Sequence, residues 1–217
     1  MAEAFTGIPL AALDFYEDLE ADNSKSFWTA HKHVYDAQVR RPIELLTAAL
    51  APEFGSAKIF RPYRDVRFAK DRTPYKTSQG AVVEAPGAGA LYLQIEAGGL
   101  LVAGGMWHLA SDQVQRFRRA IDDDVPGRAL ERVLSALVAA GMTVGGDELT
   151  RVPAGFAKDH SRAALLRRKS LTAGRQFGCP DWLATPEALS EVAAAWRTLA
   201  PLNDWLSRHV GRADAAH

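Results

Sequence analysis

The chain has 217 residues, 47% of them hydrophobic and 24% charged, and its 26 Lys and Arg residues balance its 26 Asp and Glu residues. This composition is typical of a one-domain globular protein, and it argues against a disordered chain and against a globally basic nucleic-acid-binding protein. No apolar run approaches the roughly 18 residues of a membrane-spanning helix, and a single cysteine without an N-terminal leader predicts a cytoplasmic protein.

Two helices are predicted at the N-terminus. The first carries apolar residues at helical spacing, at Ala12, Phe15, Tyr16 and Leu19. Residues 22–24 end it and offer side-chain oxygens that can cap the second helix. The apolar stripe predicted for the second helix comprises Phe27, Ala30, His31, Val34 and Tyr35. Pro42 lacks an N–H group, so we expect a kink or a restart near Arg41.

Residues 58–107 predict an antiparallel β-meander. Stretches rich in β-branched and aromatic residues occur at 58–68, 81–84, 90–96 and 100–106. In the third stretch, apolar and polar residues alternate, which is typical of a half-buried strand. Glycines at 86–89 and 97–99 predict tight turns, and such short connections join antiparallel neighbours.

Helices are predicted again after Trp107. They are expected at 111–121, 126–138 and 161–168, then from Thr185 to Pro201, with a last one over 202–206. Residues 142–155 are predicted as a loop with at most one short strand. Helices, then a sheet, then helices predict a single α+β domain over residues 1–211, with the N-terminal and C-terminal helices packed on one face of the meander. Residues 212–217 are predicted to be a frayed tail.

The stretch RPYRDVRFAKDRTPYK, residues 61–76, is the main functional candidate. Residues 58–76 hold seven cations and two acids, a net charge of +5, so the rest of the neutral chain carries −5. A second basic stretch, 151–175, has seven cations against one acid. Clustered cations repel one another unless an anion or carboxylates lie among them. Together the two stretches can form one electropositive cleft.

An extended conformation over 59–68 would divide the residues of this stretch between two faces. One face would carry Arg61, Tyr63, Asp65 and Arg67, and the other Phe60, Arg64, Val66 and Phe68. The apolar residues mark the second face as buried. Flanking arginines would keep Asp65 ionised, which suits a carboxylate that orients arginines or binds a metal, and argues against a proton donor.

The pattern Arg61-x-x-Arg64-Asp65-x-Arg67-Phe68, followed by Asp71-Arg72-x-Pro74-Tyr75-Lys76, resembles the signature of the bacterial domain-of-unknown-function family 2461. The resemblance runs nearly end to end, since it includes residues 23–28, 104–107 and 153–160. It implies a single-domain protein and a functional site at 61–76, but no reaction, because the family has no established activity. Arg72 stands where the pattern has Lys, which keeps the charge but loses the ammonium group.

The leading hypothesis is an intracellular protein that binds a phosphate- or carboxylate-bearing ligand. The predicted ligand-binding residues are Arg61, Arg64, Asp65, Arg67, Lys70, Asp71, Arg72, Tyr75, Lys76 and Trp107. The arginines would supply bidentate donors, and in an enzyme the cations would stabilise negative charge that develops on the substrate. No catalytic residue, cofactor or metal site is predicted, since nucleotide-binding, zinc-finger and nucleophile-elbow motifs are all missing from the sequence.

Two other functions remain open. A non-catalytic scaffold or interaction module would use the Arg–Asp network structurally, and Asp65→Ala would then cost about 3 kcal/mol or more if the pair is buried. A nucleic-acid-binding surface would stack bases on Tyr63, Phe68 and Tyr75 and would weaken with salt. The pair Gly104 and Gly105 allows either close approach of a ligand or a strand bulge, of which the bulge is favoured.

Overall fold

The computed structural model of the chain describes residues 3–65 and 73–214. The helices are α1 (Ala11–Ala21), α2 (Lys25–Val34), α3 (Arg41–Phe54), α4 (Ser111–Asp122), α5 (Asp124–Ala139), α6 (Ala163–Leu166) and α7 (Glu187–His209). The strands are β1 (Lys58–Ile59), β2 (Ser78–Glu84), β3 (Ala90–Glu96), β4 (Gly99–Met106), β5 (Thr143–Gly145) and β6 (Leu171–Gly178). Within the described ranges, no helix is both long enough and apolar enough to cross a membrane.

The strands form one antiparallel sheet in the order β1-β2-β3-β4-β6-β5, which confirms the predicted α+β class. The first four strands follow the chain as the predicted meander. β6 was not predicted; it pairs with β5 in a register that sets Val144 opposite Ala173. The sheet therefore extends beyond the predicted 58–107 segment.

The chain divides into two compact units. Unit 1 comprises Met1–Val83, Tyr92–Val102 and Gln176–Ala194, and unit 2 comprises Glu84–Leu91, Ala103–Arg175 and Ala195–His217. The prediction of a single domain over 1–211 stays a prediction. Of the predicted frayed tail, Arg212 donates hydrogen bonds to the Pro86 carbonyl oxygen, and 215–217 lie outside the described residues.

The N-terminal helices of unit 1 bury a row of aromatic and aliphatic side chains. In α1 the buried residues are Ala12, Leu13, Phe15, Tyr16 and Leu19, as predicted except for Leu13. Ser24 caps α2 by accepting a hydrogen bond from the Phe27 backbone N–H at 3.1 Å. The stripe predicted for α2 was partly wrong, because Trp28 is buried and Ala30 is exposed.

A π-helical segment, Tyr35–Arg40, joins α2 to α3 in unit 1. The Arg41 backbone N–H donates to the Asp36 carbonyl oxygen, five residues back, just before Pro42, which has no N–H group to donate. The wider turn adjusts the helix ahead of the proline, so the predicted disturbance near Arg41 occurs and the helix nevertheless continues.

Unit 2 packs its helices around Trp205. The Trp205 indole N–H donates to the Pro126 carbonyl oxygen at 2.9 Å, and its ring meets Phe117 edge-on at 5.9 Å. Pro201 was predicted to end a helix, but α7 runs through it to His209. Leu199, Leu202 and Leu206 are all buried on this helix, and their burial offsets the hydrogen bond that proline removes.

The strand predicted over 59–68 is shorter than expected. The regular strand β1 ends at Ile59, and one further hydrogen bond joins the Phe60 N–H to the Gly80 carbonyl oxygen at 2.9 Å. Pro62 has no N–H group with which to continue a regular ladder. The predicted alternation nevertheless holds among the described residues: Arg61, Tyr63 and Asp65 are exposed, whereas Phe60, Pro62 and Arg64 are buried or half-buried.

Candidate functional site

The candidate site in unit 1 consists of two short segments, residues 61–65 and 73–76, which we call the basic arms. They pair antiparallel at one point, Tyr63 opposite Tyr75. The Arg64 N–H donates to the Pro74 carbonyl oxygen at 2.9 Å, and the Lys76 N–H donates to the Pro62 carbonyl oxygen at 2.7 Å. Proline lacks an N–H group but keeps its carbonyl oxygen, so each proline accepts one of these hydrogen bonds. The two bonds fix the arms side by side.

Asn23 holds the second arm from its outer side. In this pairing pattern the backbone N–H and C=O of Tyr75 point away from Tyr63. The Asn23 side chain takes both: its Nδ2 donates to the Tyr75 carbonyl oxygen at 3.1 Å, and its Oδ1 accepts from the Tyr75 N–H at 3.0 Å. One side-chain amide therefore replaces a neighbouring strand.

An aromatic stack lies beneath the arms. The Tyr75 ring lies parallel to the Trp28 ring, with 4.3 Å between centroids and 9° between planes. Tyr63 contacts both rings, at 5.6 Å from Tyr75 and 6.0 Å from Trp28, and remains 53% exposed. Among the described residues, the buried indole N–H of Trp28 has no hydrogen-bond partner. The stack presents one accessible ring, that of Tyr63.

A buried hydrogen-bond chain holds the start of the first arm. The Tyr35 hydroxyl donates to Gln79 Oε1 at 2.6 Å, and Gln79 Nε2 donates to the Phe60 carbonyl oxygen at 2.9 Å. Gln79 is only 1% exposed, and burial raises the pKa of the Tyr35 phenol to about 12. At neutral pH this phenol is therefore always a donor, and the chain fixes Phe60 relative to the helices.

Three cations of the arms lie close together: Arg61, Arg64 and Lys76. Burial first, and then the positive charges of Arg61 and Arg64, lower the pKa of the Lys76 ammonium. The Lys76 Nζ atom lies 5.2 Å from the centroid of the Phe60 ring, in cation–π geometry. In the described part of the chain, neither Arg61 nor Lys76 forms an ion pair with a carboxylate.

The structure places the predicted site residues in different settings. Arg61 and Asp65 are exposed, and Arg64 and Lys76 are half-buried. Tyr75 differs from the prediction. It was expected to line a ligand loop, but it is 5% exposed because its ring stacks on Trp28. Four predicted residues, Arg67, Lys70, Asp71 and Arg72, lie outside the described residues.

Trp107, the remaining predicted site residue, belongs to unit 2. It is 46% exposed and lines two clefts there. The larger, of about 520 Å³, is lined by the turn that follows Glu84, by His108 and by Arg212. In the described ranges, no group of three or more His, Cys, Asp or Glu side chains is placed to hold a metal ion.

Sequence reasoning missed three side chains that position the arms: Asn23, Trp28 and Gln79. Asn23 was interpreted as part of a helix boundary and Trp28 as a core or surface anchor. Both lie in the segment 23–28 of the family resemblance, but neither was connected with the basic stretch. Gln79 was not singled out, although a fully buried glutamine requires specific hydrogen-bond partners. None of the three lies within the basic stretch that drew attention to the site.

Comparison with known proteins gives one result. Neither a search of curated proteins nor a search of solved structures found a match. A family model described as conserved hypothetical protein (DUF2461) matches residues 11–205, which include the basic arms and the aromatic residues beneath them. Because this match covers most of the sequence, the chain belongs to the DUF2461 family.

Proposed function

We propose that the basic arms bind an anionic ligand that bears a phosphate or carboxylate group. The observation that carries this proposal is the grouping of Arg61, Arg64 and Lys76 so closely that the arginines lower the pKa of the lysine. Clustered cations repel one another, and a bound anion reduces that repulsion. Guanidinium groups suit this role because they bind phosphate and carboxylate oxygens in pairs.

Fixed backbone geometry supports the same proposal. Asn23, Trp28 and the Gln79 chain hold both arms before any ligand arrives. A preorganised site loses less conformational freedom on binding, so more of the interaction energy appears as affinity. Lys76 is partly removed from water, and a charge in such a place interacts more strongly with an anion than a fully solvated charge does.

The test is a thermal-shift screen of the purified protein with inorganic phosphate, nucleotides, sugar phosphates and dicarboxylates. A ligand at 100 times its dissociation constant adds about 2.7 kcal/mol, which raises the melting temperature by roughly 5–10 °C for a chain of this length. We expect Arg61→Gln and Lys76→Gln to lose most of the shift. Arg132→Gln, which removes the same charge from an exposed residue of unit 2 outside both basic stretches, is the matched control.

Two results would contradict the proposal. One is a flat screen, with no anion raising the melting temperature of the wild-type protein. The other is equal loss of the shift in Arg132→Gln and in the two variants of the arms, because net charge alone would then explain the response.

A second candidate is an interaction module in which the Arg–Asp network is structural. It is favoured by the observation that Arg64 and Asp65 already have interaction partners. Asp65 is exposed, however, and exposed ion pairs contribute only about 0–1 kcal/mol. In the same screen, Asp65→Ala would have to destabilise the protein well beyond that range, with no ligand response in the wild type, for this candidate to replace the first.

The proposal places the protein in the cytoplasm of a bacterium. Its support is the free, exposed thiol of Cys179, which fits a compartment that keeps thiols reduced. A nucleic-acid ligand is the least favoured partner, since Tyr75, one of the three predicted stacking residues, is buried against Trp28. Tyr63 remains exposed, and Phe68 lies outside the described residues.

A further inference from the structure

A second cavity, in unit 2, has the composition of a ligand site. It measures about 390 Å³, within the range of roughly 300–1,000 Å³ that is usual for small-molecule sites. The residues that line it include Trp107, Ser111, Val114, Arg118, Asp147 and Lys169. We call it the Trp107 cavity.

Arg118 has hydrogen-bond donors in this cavity that no protein group among the described residues accepts. It is half-buried, and burial lowers the pKa of its guanidinium group. Within the described chain its one hydrogen bond runs from Nε to the Leu166 carbonyl oxygen at 3.2 Å, and it forms no ion pair. A guanidinium group has five donors, so most of the donors of Arg118 are unused in a place where water is partly excluded.

Two other arginines of unit 2 combine a carbonyl oxygen with a carboxylate partner. Arg116 donates to the Val210 carbonyl oxygen at 2.6 Å and pairs with Asp112 at 2.8 Å. Arg162 donates to the Ile121 carbonyl oxygen at 2.9 Å and pairs with Asp124 at 2.6 Å. Among the residues that the structure describes, Arg118 lacks such a carboxylate, as does Arg168, which donates to the Gly146 carbonyl oxygen at 3.1 Å and lies outside this cavity.

Three other residues that line the cavity offer further groups for binding a ligand, namely a cation, a carboxylate and an aromatic ring. Lys169 is exposed and brings a second cation, and its backbone N–H donates to the Asp147 carbonyl oxygen at 2.7 Å. Among the described residues, neither Lys169 nor the Asp147 carboxylate forms an ion pair, so the carboxylate can accept hydrogen bonds from hydroxyl groups. Trp107 lines the cavity and is 46% exposed, and an indole ring suits stacking against a flat ring.

We propose that the Trp107 cavity binds a small ring compound bearing a phosphate or carboxylate group, of the size and chemistry of a nucleoside monophosphate. The anionic group would lie at Arg118 and Lys169, the ring on Trp107, and sugar hydroxyl groups at Asp147. This inference does not depend on the function proposed for the basic arms, because it uses other residues, all of them in unit 2.

The test measures binding of adenosine monophosphate to the full-length protein by titration calorimetry, with adenosine and inorganic phosphate as partial probes. Since hydrogen bonds to charged groups contribute roughly 1.5–3 kcal/mol, we expect Arg118→Gln and Lys169→Gln each to weaken binding by about tenfold or more. Arg119→Gln is the matched control: it is the next residue on α4, it is exposed, and it lines a separate cleft. It should bind within about twofold of wild type.

The ring contact is tested separately. Trp107→Phe keeps a stacking surface and should retain most of the affinity, whereas Trp107→Ala should lose about tenfold, because stacking of one base contributes roughly 1–3 kcal/mol. Should Arg118→Gln fail to fold, Lys169→Gln and Trp107→Ala still decide the question, since both change exposed side chains.

Three outcomes would overturn the inference. The first is that none of the three probes binds. The second is that Arg118→Gln and Lys169→Gln bind as well as Arg119→Gln does. The third is that Lys76→Gln alone abolishes binding, which would assign the nucleotide to the basic arms and leave the proposed function of the arms standing.

Discussion

The Lys76 ammonium lies beside the Phe60 ring, partly out of water and near two guanidinium groups. Its lowered pKa has a definite effect on stability. While Lys76 is protonated in the folded protein, the group opposes folding, because the unfolded chain holds the same proton more tightly. Stability contributed by this group therefore rises as the pH increases through the folded pKa towards the unfolded value.

A bound anion should reverse the shift at Lys76. We expect phosphate to raise its pKa, and affinity to fall as the pH rises through that pKa, because the neutral amine no longer attracts the ligand. Lysines labelled with ¹³C-methyl groups can be titrated by NMR, with Lys76→Arg assigning the resonance and the urea-unfolded protein as reference. Lys76 would be excluded from the site if its pKa in the folded protein equalled its pKa in urea, or if phosphate left its pKa unchanged.

The side-chain pattern of the first arm was predictable from sequence, but that of the second was not. Alternation alone placed Tyr63 and Asp65 outward and Arg64 inward, and the described residues agree. Tyr75 was misjudged because its burial depends on Trp28 and Asn23, about fifty residues earlier in the chain. Local spacing carries no information about such a contact.

Two glycines of β4, Gly99 and Gly105, combine a positive φ with close approach to the backbone of β6. Gly105 has a φ of +119°, and a Cβ atom there would lie 2.3 Å from the Leu171 carbonyl oxygen of β6. Gly104 is less constrained, since its Cβ atom would meet the Ala90 carbonyl oxygen at 3.2 Å. Close approach of two strands is therefore sufficient reason for glycine at position 105.

Alanine substitutions should separate Gly105 from Gly104. We expect Gly105→Ala to cost about 2–4 kcal/mol, from an unfavourable backbone conformation and a clash with β6. Gly104→Ala should cost about 1 kcal/mol or less, because its neighbours need to move only slightly. Urea denaturation of both variants measures the difference, and equal losses would show that β6 does not constrain Gly105.

The elements with a strong internal pattern were the ones that sequence predicted. Alternation marked β3, and helical spacing marked α1 and α4. β6 was not predicted, because Leu171–Gly178 mixes glycines with polar residues. It becomes a strand through its pairing with β4 and β5. The sequence predicted two helices separated at Pro201. The structure has the single helix α7, because tertiary burial can outweigh the local effect of proline.

Taken over its full length, the chain passes between the two units five times. The boundaries follow Val83, Leu91, Val102, Arg175 and Ala194. Each lies inside a strand or helix, namely β2, β3, β4, β6 and α7, and none lies in a linker. Separate domains normally meet at exposed linkers. The single domain predicted from sequence stays a prediction, which an unfolding experiment can test.

A single domain predicts one unfolding transition. Both units contain tryptophan, for example Trp28 in unit 1 and Trp205 in unit 2, so fluorescence reports on each. We expect fluorescence and far-UV circular dichroism to give coincident urea curves in the wild-type protein. Trp28→Phe and Trp205→Phe, measured individually, provide the control. Separate midpoints for the two probes would show that the units unfold independently.

The passage of the chain between the units also bears on how the protein is made. Unit 1 begins with the N-terminus and needs Gln176–Ala194 for completion. At about 5–20 residues per second, a ribosome takes roughly 6–22 s to proceed from residue 83 to residue 194. Throughout that interval unit 1 lacks this segment, which includes the Leu183 carbonyl oxygen that accepts a hydrogen bond from the Ile8 N–H. The incomplete unit is therefore accessible to chaperones while the chain is still on the ribosome.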